Sequence, residues 1–162
     1  PPPPPPPPRQ PPPTTPTPTT LLSSAASDVY KRQAHGLIDD AGVDVVHGHS
    51  SHHPRSVEIY RHKPVLFGCG DLINDYEGIG GYEVFRGHLN LMYFLTIDAE
   101  RGELVKLEML PHQLSNFRLN DVSKQDARWL RDTLHAQGKK TGSSVVMSRD
   151  CKLEIRWKKT AG

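Results

Sequence analysis

The sequence predicts an α/β fold, and three patterns predict it. Short apolar runs with period-two alternation recur between turns rich in Gly, Asp and Asn. Two pairs of these runs are close enough in sequence to be hairpins, and one segment near the C-terminal side carries a helical stripe.

In chain order, Ala34 to Ala41 reads as the end of a helix closed by Gly42. Val43 to His47 is a short buried strand. Val57 to Tyr60 and Val65 to Gly68 flank the tight turn Arg61-His62-Lys63 and form the first hairpin. Asp71 to Gly87 is a loop. Leu89 to Ile97 and Leu104 to Leu110 are strands joined by the Gly-containing loop Asp98 to Gly102. Ser123 to Gln137 has helical spacing, with Ala127, Leu130 and Leu134 on one face, Ser123 as N-cap and Gly138 as the stop. Val145 to Met147 and Leu153 to Trp157 close the chain as a last strand pair.

The first thirty-three residues are different material. Residues 1–20 hold thirteen of the sixteen prolines with five threonines, and nothing apolar enough to offset the entropy of folding. They read as a disordered or polyproline II arm. Its functional reading is a ligand for an SH3- or WW-type groove, and its plainer one is low-complexity filler. Residues 21–33 lead into the domain, and Ser23 to Gln33 match, residue for residue, one reading frame of a widely used transposon sequencing adapter. They are read as an artefact of library construction and excluded from fold reasoning. The domain is therefore expected to begin at Ala34 and to run over residues 34–162.

That part carries 17 basic and 17 acidic residues, so charge makes no case for nucleic acid as a partner. Cys69 and Cys151 stand in no metal-type spacing and are read as reduced. No apolar run reaches the roughly eighteen residues of a membrane span.

Chemistry concentrates in one place. Four of the nine histidines, His47, His49, His52 and His53, lie within seven residues, directly after the first strand. Open α/β sheets place ligand sites at the carboxyl ends of their strands, and neutral imidazole is the commonest side-chain metal ligand. Gly48 allows the bend that lets neighbouring rings converge. The competing reading is a surface histidine tract of no consequence.

The run AGVDVVHGHSSHHPRSVEIYRHKPVLFGCGDLINDYEG resembles the capsule-synthesis CapA family, associated with poly-gamma-glutamate biosynthesis and part of the calcineurin-like metallophosphoesterase superfamily. The matching features are the strand before Gly-His-x-x-His, the Val-Glu-x-Tyr strand, the Lys-Pro turn and the Gly-Asp-Leu-Ile-Asn-Asp segment. Downstream, NFRLNDVSKQDARWLRDTL and LEIRW resemble the C-terminal tail of one branch of that family. The resemblance thus covers essentially all of residues 34–162.

It implies the C-terminal part of a two-sheet α/β sandwich truncated on its N-terminal side. It also implies a parent acting as a metal-dependent phosphoesterase-like hydrolase on a small-molecule or polymer-linked phosphate-type substrate. His49 and His52 would fill the last ligand block of a two-metal site holding Mn, Fe or Zn. Asp71 and His53 would be the catalytic candidates, Asp71 by binding metal or orienting a ligand histidine and His53 in proton transfer. The plainer readings are a turn-capping Asp71 and Asp75, packed or solvated His47 and His53, and a strand-edge ion pair between Arg55 and Glu58.

The departure from the family lies upstream. No Asp-x-His, Gly-Asp or Gly-Asn-His block precedes Ala34. Two histidines alone leave a metal under-coordinated, since even a catalytic zinc usually has three protein ligands. The chain by itself is therefore expected to be inactive, with Leu91, Tyr93 and Leu95 left exposed by absent neighbours. The compartment is open, the cell envelope being the expectation for a capsule protein. The alternative function is a non-catalytic interaction module that recruits a partner through the proline arm.

Overall fold

A computed structural model describes residues 24–48, 51–73 and 86–158. The proline arm therefore lies outside the described residues, as do His49 and Asp75. The elements are α1 (Ser24–Asp39), β1 (Val46–His47), β2 (Val57–Tyr60), β3 (Lys63–Leu66), β4 (Leu89–Ile97), β5 (Leu104–Ser115), β6 (Arg118–Asp121), α2 (Lys124–Gly138), β7 (Ser143–Met147) and β8 (Leu153–Trp157). The architecture is mixed α/β, in keeping with part of a two-sheet sandwich.

Two sheets share one core. The smaller has the order β1-β3-β2, with β1 parallel to β3 and β2 antiparallel to it. The larger has the order β4-β5-β8-β7, with β6 added to the end of β5. Val57 and Leu66 of the small sheet pack with Leu89, Leu91, Leu107, Met109, Leu153 and Ile155 of the large one, and with Leu130 and Leu134 of α2. On the far side of the small sheet, Ala34 and Ile38 of α1 pack on Val65.

Most local structure follows from local sequence. Ser123 caps α2 as expected, its Oγ accepting from the Asp126 amide at 3.1 Å. Ala127, Leu130 and Leu134 form the buried stripe of that helix. The β2–β3 turn contains two residues, Arg61 and His62, both at positive φ (47° and 65°), which suits the right-handed twist of a tight hairpin. Strand β3 consequently starts at Lys63, earlier than Val65.

Other boundaries differ for physical reasons. β1 starts at Val46, because Asp44 is drawn out to the Lys63 ammonium and Val45 is exposed. β5 runs on through Pro111 to Ser115. Pro111 sits where the flank of β5 passes from β8, paired at Glu108 and Met109, to β6, paired from His112, so its missing N–H costs no ladder bond. The chain after α2 makes a short 3-10 turn, Lys139–Thr141, and the left-handed terminator is Gly142 (φ 76°) rather than Gly138.

Two expectations about the edges of the domain meet the structure here. Leu91 is 2% exposed, and Tyr93 and Leu95 are partly buried against the core. α2 and the small sheet supply the neighbours that were expected to be missing. At the other end, α1 runs without interruption through the adapter-like segment, and Lys31 within it pairs with Glu58 at 2.9 Å.

Candidate metal and anion site

The small sheet places the site through its one parallel pair. Because β1 and β3 run in the same direction, their carboxyl ends lie side by side. The histidine loop leaves β1 there, and Cys69-Gly70-Asp71 leaves β3 there. That edge is where open α/β sheets gather ligands.

The loop is stitched to the β3 exit by backbone. The Gly48 amide donates to the Leu66 carbonyl at 2.7 Å, the Arg55 amide donates to the Gly68 carbonyl at 2.9 Å, and Pro54 bridges Cys69. A Cβ on Gly48 would stand 2.7 Å from the Phe67 carbonyl oxygen, so the loop can lie this close only because residue 48 has none. Gly48→Ala is expected to push the loop off β3 and to cost about 1–3 kcal/mol, read as a lowered midpoint in denaturant. An unchanged midpoint would show that the loop is not anchored there.

Gly70 (φ 73°) then turns the chain so that Asp71 faces back across the edge. Its Oδ2 lies 2.7 Å from His52 Nδ1. A carboxylate on Nδ1 selects the tautomer with the proton there, orients the ring and leaves Nε2 as the basic nitrogen. This is how ligand histidines are held in metal sites. Asp71 thus faces a histidine from the other side of the edge.

His53, next along, is half-buried. Burial, the Arg55 guanidinium and His52 hold its pKa below the usual imidazole value, so it is neutral at pH 7. A neutral ring is the form that accepts a proton or a metal. Ser51 Oγ donates to the His53 carbonyl at 2.7 Å, fixing the turn between the two histidines. His47 ends β1 with its side chain exposed, and no contact among the described residues ties it to the His52–Asp71 pair.

Beneath the loop, burial pushes the Cys69 thiol up to about 11, which keeps it protonated and unsuited to nucleophilic attack at neutral pH. The entry to β4 lies beside the loop, since a Cβ on Gly87 would stand 3.7 Å from the His52 carbonyl oxygen.

One pairing read from the sequence is corrected. Arg55 and Glu58 do not form an ion pair. Glu58 is 6% exposed and is held instead by Lys31 at 2.9 Å and His35 at 3.2 Å, both on α1. Sequence proximity suggested the wrong partner because β2 turns Glu58 toward α1, while Arg55 stays with the loop.

Among the described residues no three His, Cys, Asp or Glu side chains gather within reach of one metal ion. His52 with its carboxylate, and neutral His53 beside it, fit the donor chemistry of a metal site in part. No helix among the described residues is long and apolar enough to cross a membrane.

Residues 23–76 match the family model described as bacterial capsule synthesis protein PGA_cap, a span that ends just past the Asp71 loop. The match begins at Ser23, the first residue of the adapter-like segment. Two curated proteins, each described as a probable polyglutamine synthesis accessory protein, come from Mycobacterium tuberculosis strains CDC 1551 and H37Rv. Both are 52% identical to this chain over 122 residues, which is 75% of this chain and 32% of each relative. The chain thus spans about a third of the length of the curated relatives it matches.

Proposed function

We propose, for a chain that belongs to the bacterial capsule synthesis (CapA-type) protein family, that its parent is a metal-dependent phosphoesterase-type hydrolase serving capsule or polyglutamate assembly. The observation that carries this reading is the His52–Asp71 pair at the shared carboxyl ends of β1 and β3. A carboxylate spent on aligning one exposed imidazole is uneconomical for stability, because such an exposed pair contributes only about 0–1 kcal/mol. It is well suited to presenting a ligand nitrogen.

In this reading His49 and His52 hold metal, with Asp71 fixing the tautomer of His52. His53, neutral by burial, takes or returns the proton of the attacking water or leaving group. Bound divalent metal, whether Mn, Fe or Zn, would lower the pKa of water and offset charge on the oxygens of an in-line displacement. In this reading further ligands would be needed beyond those that the described residues bring together, and without them the chain would be inactive. The substrate is a small-molecule or polymer-linked phosphate ester.

The test compares the present chain with a protein extended upstream to the length of its mycobacterial relatives. Hydrolysis of a generic aryl phosphate should appear only in the extended protein and should disappear with a chelator. Turnover that survives the chelator would remove metal from the mechanism, and equal turnover in the short chain would remove the need for upstream ligands.

A further inference from the structure

Arg55 is a cation without a counter-charge among the described residues. It sits three residues after His52 and is only partly exposed, yet among the described residues no carboxylate pairs with it. The contrast with the other partly exposed arginines is direct. Arg86 holds Asp126 at 2.6 Å, and Arg131 holds Asp132 at 2.7 Å. The nearest acidic residue in sequence, Glu58, is committed to Lys31 and His35.

Its placement is built. The Arg55 amide is fixed to the Gly68 carbonyl at 2.9 Å, and its stem packs close against Gly68. A Cβ there would stand 3.0 Å from Arg55 Cδ and 2.7 Å from Ser51 Cβ, so any larger residue at position 68 would displace the stem. Burial disfavours the charged form of the arginine itself. A half-buried guanidinium left unneutralised is unfavourable on its own and is relieved by an anion, for which its planar fork suits oxyanions in a bidentate manner.

We propose that Arg55, laid over Gly68 beside His52 and His53, is the substrate-anchoring residue of this edge and grips a phosphoryl oxyanion. This deepens the phosphoesterase reading and rests on it for the identity of the substrate. The anion-binding property belongs to this chain alone and needs no metal.

The test is therefore a titration of the 162-residue chain with inorganic phosphate at low ionic strength, followed by calorimetry or by amide shifts of residues 51–56. Arg55→Gln should weaken phosphate about tenfold or more, the usual loss for a charge-assisted contact. Arg55→Lys should fall between, keeping the charge and losing the fork. Gly68→Ala should weaken phosphate while leaving Arg55 in place chemically. Circular dichroism on each variant separates lost binding from lost folding. Phosphate affinity unchanged in Arg55→Gln, or no phosphate binding by the parent chain at millimolar concentration, would overturn the proposal. Failure of the hydrolase reading looks different: phosphate would still depend on Arg55 while the extended protein bound no metal. In an active extended protein, Arg55→Gln should raise KM with a smaller change in kcat.

Discussion

His52→Ala in the extended protein is expected to lower phosphoesterase turnover by about a thousandfold or more, because a metal-binding clamp supplies several kcal/mol at the transition state and each 1.4 kcal/mol is about tenfold in rate. The variant removes the ring that Asp71 aligns at 2.7 Å, so bound metal should fall with the rate. Asp71→Asn leaves the histidine in place and keeps one acceptor oxygen. It should weaken metal affinity by only about 10–100-fold, the usual cost of losing an outer carboxylate partner. The order of the two effects matters more than either size. If Asp71→Asn were the more damaging, Asp71 would itself be a ligand and His52 its support. Wild-type rates in His52→Ala would take this edge out of the chemistry.

Leu107→Ala is expected to destabilise the domain by about 2–5 kcal/mol, a large share of the roughly 5–15 kcal/mol that holds a domain of this size together. Leu107 is fully buried in the middle of β5, opposite Leu95 on β4 and within the core shared by both sheets and α2. Two residues earlier on the same strand, Val105 is 47% exposed, because the register of β4 against β5 shifts there, from Thr96 opposite Lys106 to Ile97 opposite Leu104, and leaves Val105 out of step. Val105→Ala should therefore stay within about 0.5 kcal/mol. Urea unfolding of both variants checks the pair. Similar losses at the two positions would mean that β5 does not carry the core in this register.

These two results bear on different links of the chain from sequence to function, and the links were unequally legible. Where a residue's role is decided within a few positions, the sequence was sufficient. Ser123 caps α2 through its own third residue on, and Leu89–Ile97 and Leu153–Trp157 carry enough alternation to mark both strand ends. Boundaries set by distant partners were hidden. The Lys63 ammonium that draws Asp44 out of β1 is nineteen residues away, and Pro111 stays in β5 only because β6 and β8 leave a gap beside it. The burial of Leu91 depends on α2 and the small sheet, which periodicity along β4 cannot reveal.

The site divides the same way. Clustered histidines after a strand marked one sheet edge, since strand polarity is local and β1 and β3 end together. The pairing of His52 with Asp71 spans nineteen residues and needed the turn at Gly70 to appear. Glu58 was misassigned for a related reason. Its partners, Lys31 and His35, lie more than twenty residues upstream on α1, whereas Arg55 was merely near in sequence.

The central claim is that this edge is one part of a metal site completed by upstream residues. Metal stoichiometry by plasma mass spectrometry, on the 162-residue chain, the extended protein and its His52→Ala variant after dialysis against free metal, tests it most directly. The account predicts tightly held divalent metal in the extended protein, far less in the short chain, and loss of that metal in the variant. Equal, full loading of the extended protein and of His52→Ala would contradict it.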